Sequence, residues 1–144
     1  MTPAEFEKWV QEGVAGRPDT DGAAAGVQAR QAITHSAKDP ALWADPKSAV
    51  AAVCRGTMRG IVLLSHDPVA VVVPLLLAVG EAAQDCHLDP AEALGGALSG
   101  IAAVAAILPS EQQHAMCVAI DESFTDMGAA FASLCHEAAS GWQG

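Results

Sequence analysis

Apolar positions recur at helical spacing along most of this chain, and the polar residues between them fall where helices start and stop. Between residues 46 and 65, Val50, Val53, Cys54, Thr57, Met58, Ile61 and Val62 trace one stripe, with Lys47, Arg55 and Arg59 off it. That pattern predicts a helix with a single buried face. Residues 69–80 and 93–108 are apolar almost all round, as in helices buried on every side. Further on, Cys117, Ile120, Phe124, Met127, Phe131, Leu134 and Ala138 form a heptad-like seam, alternately three and four residues apart. The seam predicts one sustained helix over residues 111–139.

The helix starts are equally legible. Asp followed by Pro supplies an N-cap acceptor and then a residue whose φ is pre-set for the first helical position. The pair occurs at Asp39-Pro40, Asp45-Pro46, Asp67-Pro68 and Asp89-Pro90, the last three 22 residues apart. Thr2-Pro3-Ala4-Glu5 has the form of a capping box, and Ser110-Glu111-Gln112-Gln113 has the same form with Gln. The predicted helices cover 3–12, 23–37, 46–65, 68–85, 90–107 and 111–139, with a short turn containing Trp43 at 40–44. Pro74 removes a backbone donor inside the fourth and predicts a kink there; the Val-rich run 69–73 could also form a short strand.

Repetition at 22 residues raises the possibility of a solenoid. The repeated segments share a cap and a length but no internal pattern. The expected fold is therefore all-α: an antiparallel helical bundle of five to six helices, with the fourth and fifth (68–85 and 90–107) at its centre. Residues 1–144 form a single domain in this reading, with 1–44 peripheral and 45–144 the core bundle. Three glycine pairs four apart, Gly22/Gly26, Gly56/Gly60 and Gly96/Gly100, form flat grooves where another backbone can come close. The close neighbour is either within the chain or, for Gly96/Gly100, a second copy.

Charge changes the picture of partners. All seven Lys and Arg lie within the first 59 residues, and residues 60–144 carry ten acids and no Lys or Arg. The formal net charge is −10. A polyanion needs cations to displace its counterions, so nucleic acid is excluded as a partner. An anionic membrane surface is disfavoured for the same reason, and the apolar runs of 12 and 16 residues fall short of the ~20 that a spanning helix needs. A basic protein surface is the natural complement. Glu81, Asp85, Asp89 and Glu92 surround one turn and form the most negative local patch. The acidic start lacks an apolar run, and Cys54, Cys86, Cys117 and Cys135 include no Cys-x-x-Cys pair. Four reduced thiols in a cytoplasmic protein are the expectation.

Candidate chemistry is thin. No phosphate-binding loop or nucleophile elbow occurs. Glu111-Gln112-Gln113-His114 has the Glu-x-x-His spacing of di-iron bundles, but that site needs a second copy and two further Glu. In an antiparallel bundle His66 would approach His114, with Glu111 and Cys117 one turn away, a candidate metal group. Cys86-His87 and Cys135-His136 could meet at the opposite pole. No nucleophile-and-base arrangement is visible, and no cofactor is implied. The expected function is a non-enzymatic helical adaptor or assembly protein that binds a protein partner, itself included; the alternative is a bundle that holds a metal or a small apolar ligand.

Overall fold

The computed structural model describes residues 1–141 and contains seven α-helices. They are α1 (Pro3–Ala15), α2 (Gly22–Ser36), α3 (Pro46–Leu63), α4 (Val69–Asp85), α5 (Pro90–Ala105), α6 (Ser110–Ser123) and α7 (Met127–Gly141), with a 3-10 turn at Leu42–Ala44. No strand occurs among the described residues, and Val69–Val73 is helical. No described helix is long and apolar enough to cross a membrane.

The helix starts are built as their sequences dictate. Thr2 and Glu5 complete the capping box of α1. Each Asp-Pro carboxylate accepts a backbone N–H: Asp39 from Ala41 at 3.1 Å, Asp45 from Ser48 at 3.4 Å, Asp67 from Val69 at 2.9 Å and Asp89 from Ala91 at 2.9 Å. These bonds favour the ionised carboxylate, and the Leu42 amide bonded to Asp39 and the Ser48 hydroxyl bonded to Asp45 hold both acids below their ordinary range. The expected Ser110–Gln113 box does not form. The Gln113 amide donates instead to the Leu108 carbonyl, at 2.9 Å, and α6 starts after Pro109 without a side-chain cap.

Two helix ends share an uncommon feature. His66 N–H donates to the Ile61 carbonyl and Ser65 N–H to Val62; Leu88 N–H donates to Ala83 and His87 N–H to Gln84. Both are Schellman closures of α3 and α4. They place Ser65 at φ 58° and His87 at φ 56°, a left-handed conformation that glycine adopts without steric cost. His87→Gly is expected to raise stability by about 0.5–1 kcal/mol, net of the glycine's greater freedom in the unfolded chain, as read from the urea midpoint.

The packing departs from an antiparallel bundle. The principal partners are next-but-one helices: α3 lies between α1 and α5, and α2 packs on α4. These pairs run in the same direction. Gly56 faces Glu7 and Val10 while Gly60 faces Gln11 and Val14; Gly96 faces Lys47 and Gly100 faces Ala51; Gly22 faces Ala70 and Gly26 faces Pro74. In each pair both residue numbers rise together, so the helices are parallel. All three glycine pairs thus serve parallel stacking inside the chain, and α3 fills the Gly96/Gly100 groove that a second copy could have occupied. Odd-numbered helices form one row (α5 also packs on α7) and even-numbered helices the other.

Pro74 has a place in this scheme. Lacking an N–H, it leaves the Ala70 carbonyl without its helical donor. A β-carbon at Gly22 would sit 2.6 Å from that oxygen, so the glycine gives the carbonyl room against α2.

Two further expectations need correction. The fifth helix is central as expected, with nine of its sixteen residues buried, but it shares the centre with α3 rather than α4: eleven of the eighteen residues of α3 are buried, including Val50, Met58 and Ile61, against eight of seventeen in α4. Gly56, Gly60 and the alanines of α3 let neighbours close on two sides, whereas α4, the more apolar helix, leaves Leu77 half exposed. The predicted helix over 111–139 is two helices, with Phe124 extended (φ −134°, ψ 98°) and Asp126 left-handed at φ 68°. Ser123, Thr125 and Asp126 are weak helix formers that favour local bonds. Gly128 then packs tightly on Cys117 and Asp121 as α7 folds back along α6, its N–H donating to the Asp121 carboxylate at 3.3 Å. One continuous apolar cluster includes residues from all seven helices, from Phe6 in α1 to Phe131 in α7.

Candidate functional site

Parallel stacking of α2 on α4 decides the surroundings of the acidic turn. It brings Arg30 to the end of α4, where its guanidinium bonds Asp85 at 2.7 and 3.1 Å and also pairs with Glu81. The sequence offers no base within this region, yet the fold delivers one from α2. Hydrogen bonding and attraction to Asp85 hold the Arg30 guanidinium in its charged form. Asp89 is occupied as the cap of α5, and Glu92 lies in the first turn of that helix, where a negative charge is favoured. A mirror arrangement joins α1 to α3: the Glu7 carboxylate pairs with both Arg55 and Arg59, which lie one turn apart. Three of the seven fixed cations are thus held by acids of this chain.

Beside the Arg30 cluster the surface turns apolar. Val27 of α2 is 56 % exposed and Leu77 of α4 is 52 % exposed, and both line one groove between these helices. The groove is bounded at one end by Arg30 and Glu81. Leu77 and Glu81 also border a second cleft of about 380 Å³, floored by Leu76, Leu94 and Phe124. The face therefore has an apolar middle and a charged rim.

The candidate metal ligands are not assembled. Among the described residues no three His, Cys, Asp or Glu side chains gather where a metal ion could be held. His66 Nε2 lies 2.6 Å from the Pro18 carbonyl in the loop after α1, while Glu111 and His114 are exposed on α6. The expected convergence of the ends of the third and sixth helices presupposed antiparallel packing, which the rows replace.

The thiols are free and largely sequestered. Burial pushes the Cys54 thiol up to about 12. Burial, with Cys117 as a negative neighbour, raises Cys135 to about 11, and burial also raises Cys117. The thiolate is the reactive form, so these groups are poor nucleophiles. Iodoacetamide at neutral pH is expected to label the partly exposed Cys86 first and to reach Cys54 only as the protein unfolds. Peptide mapping after timed quenching checks the order.

Sequence reasoning missed a cleft between α1 and α2. Its volume is about 280 Å³, and it is lined by Trp9, Gly13, Arg17, Gln31 and His35 over a floor of Val10 and Ala32. Trp9 is 52 % exposed, yet its ring stacks on buried Phe6 with centroids 6.1 Å apart and planes at 18°. The available signal was the isolated Gly13 late in a helix beside an off-stripe Trp. It reads as a helix stop, because spacing does not reveal what stands opposite. Comparison with protein-family models, with curated proteins and with solved structures finds no match to this chain.

Proposed function

We propose that the protein is a non-enzymatic helical adaptor or assembly protein that binds a protein partner through the open face of α2 and α4. The observation that carries this reading is the exposure of Val27 and Leu77 together, with Arg30 and Glu81 at the rim. Protein interfaces have this anatomy, an apolar centre inside a charged border. Parallel stacking of α1, α3 and α5, and of α2 on α4, supports the reading by analogy with α-solenoids, whose stacked helices present extended binding surfaces. The net charge of −10 favours a basic rim on the partner, with Glu81, Asp85, Asp89 and Glu92 on the near side. Four free cysteines fit the cytoplasm, where thiols stay reduced.

The first partner to test is a second copy. Leu77→Glu places a charge at the centre of the face without touching the core. It is expected to weaken self-association, followed by sedimentation velocity across protein concentration, by about tenfold or more. A Glu81→Gln variant is expected to alter mainly the salt dependence. The reading is wrong if Leu77→Glu and Val27→Glu change neither self-association nor the recovery of co-purifying proteins.

A further inference from the structure

The cleft between α1 and α2 has properties that the rest of this surface lacks. Arg17 is its one charged lining residue and His35 adds an imidazole; no acid lines it, in a chain of net charge −10. Among the described residues Arg17 enters no ion pair, unlike Arg30, Arg55 and Arg59. Trp9 forms one wall and is held in place by its stacking on Phe6. The amide of Gln31 completes the polar side.

Gly13 is the second observation. It lies inside α1, where glycine costs about 1 kcal/mol relative to alanine. The paired glycines of α2, α3 and α5 meet a neighbouring backbone, but a β-carbon at Gly13, as at Gly80 in α4, would meet nothing within 4 Å. Packing does not demand this glycine. What it leaves is the open space of the cleft.

We infer that this cleft is a binding site for a small amphipathic monocarboxylate, with its apolar body against Trp9 and Gly13 and its carboxylate between Arg17 and His35. Three features select that class. A volume of about 280 Å³ sits at the lower end of small-molecule sites, about 300–1,000 Å³. Guanidinium suits a carboxylate through paired donors, and an imidazole N–H adds a further donor. A single negative charge is favoured over several, because the surrounding field of a −10 protein opposes a polyanionic ligand or an acidic peptide.

The probes are 4-phenylbutyrate, its neutral amide and 4-phenylbutylamine, titrated into the full chain labelled with nitrogen-15. The expected result is saturable movement of the Trp9 indole and Gly13 amide signals by the carboxylate, with Kd of about 1 mM or tighter. The amide and amine should bind about tenfold or more weakly, since they lack the charge that Arg17 recognises. Gly13→Leu fills the cleft with a good helix former, so it should abolish the Trp9 indole shift without lowering the melting temperature. Arg17→Gln should weaken the carboxylate and leave the amide unchanged. Absence of saturable shifts at Trp9 and Gly13, equal binding of acid and amide, or unchanged binding by Gly13→Leu would each overturn the inference. Leu77 does not line this cleft, so Leu77→Glu should bind 4-phenylbutyrate as the parent does, and this site stands or falls apart from the adaptor reading.

Discussion

Phe6→Ala is expected to lower stability by about 3–5 kcal/mol, the range for emptying a large aromatic site in a core. Phe6 is fully buried, and two tryptophans depend on it. Trp9 stacks on one side at 6.1 Å, and Trp43 meets it edge-on at 6.5 Å. Trp43 is fixed in turn by donation from its indole N–H to Ser36 Oγ at 3.1 Å. Removing the Phe6 ring therefore leaves a cavity between α1 and the turn after α2, and loosens the residues that border it. Against a domain stability of about 5–15 kcal/mol, this loss is enough to unfold a large fraction of molecules on mild warming. Trp9→Ala provides the comparison: it removes a half-exposed ring and one stacking pair, and should cost about 1 kcal/mol. Urea unfolding of both variants checks the order. Equal losses would mean that Phe6 is packed no better than Trp9.

The local code of this chain is read easily from its sequence, and the global arrangement is not. Asp39, Asp45, Asp67 and Asp89 mark the helix starts because a short carboxylate followed by Pro satisfies the first free N–H groups with neighbours alone. Such signals need no tertiary partner. The break at Phe124–Asp126 was hidden because the apolar seam continues across it: Ile120 and Phe131 are buried on both sides, so periodicity sees no interruption. Gly128, against Cys117 and Asp121, carried the missing information. Parallel stacking was hidden for a different reason. Short loops imply antiparallel neighbours in sequence, but they do not fix which neighbours pack most closely. The glycine pairs marked the stacking surfaces without naming the helices that fill them. The same gap concealed the site features. Arg30 reaches Glu81 and Asp85 only once α2 is known to lie along α4, and Trp9 borders a cleft only once α1 is set beside α2.

Replacing the stacking glycines by alanine is the direct test of that arrangement. Gly56→Ala would place a β-carbon 2.5 Å from the Glu7 carbonyl oxygen, and Gly96→Ala would place one 2.5 Å from that of Lys47. Gly100→Ala would come closer still to the Ala51 carbonyl. These obstacles are backbone atoms of regular helices, so no rotamer change relieves them and the helices must separate. Each substitution is expected to cost about 1–3 kcal/mol, the usual penalty of overpacking a filled core, although alanine is the better helix former. Gly80→Ala reverses the sign. A β-carbon there meets nothing within 4 Å, so it should stabilise by about 0.5–1 kcal/mol through helix propensity alone. The double variant Gly56→Ala/Gly100→Ala carries the most information. Gly56 of α3 faces α1, and Gly100 of α5 faces α3, so α3 is pressed from two sides. In either single variant α3 can yield toward the other neighbour; in the double variant it cannot. The combined loss in urea unfolding should exceed the sum of the single losses by about 0.5 kcal/mol or more. Strict additivity would show that α1 and α5 act on α3 independently, and the single odd-numbered row would then be two separate pairings.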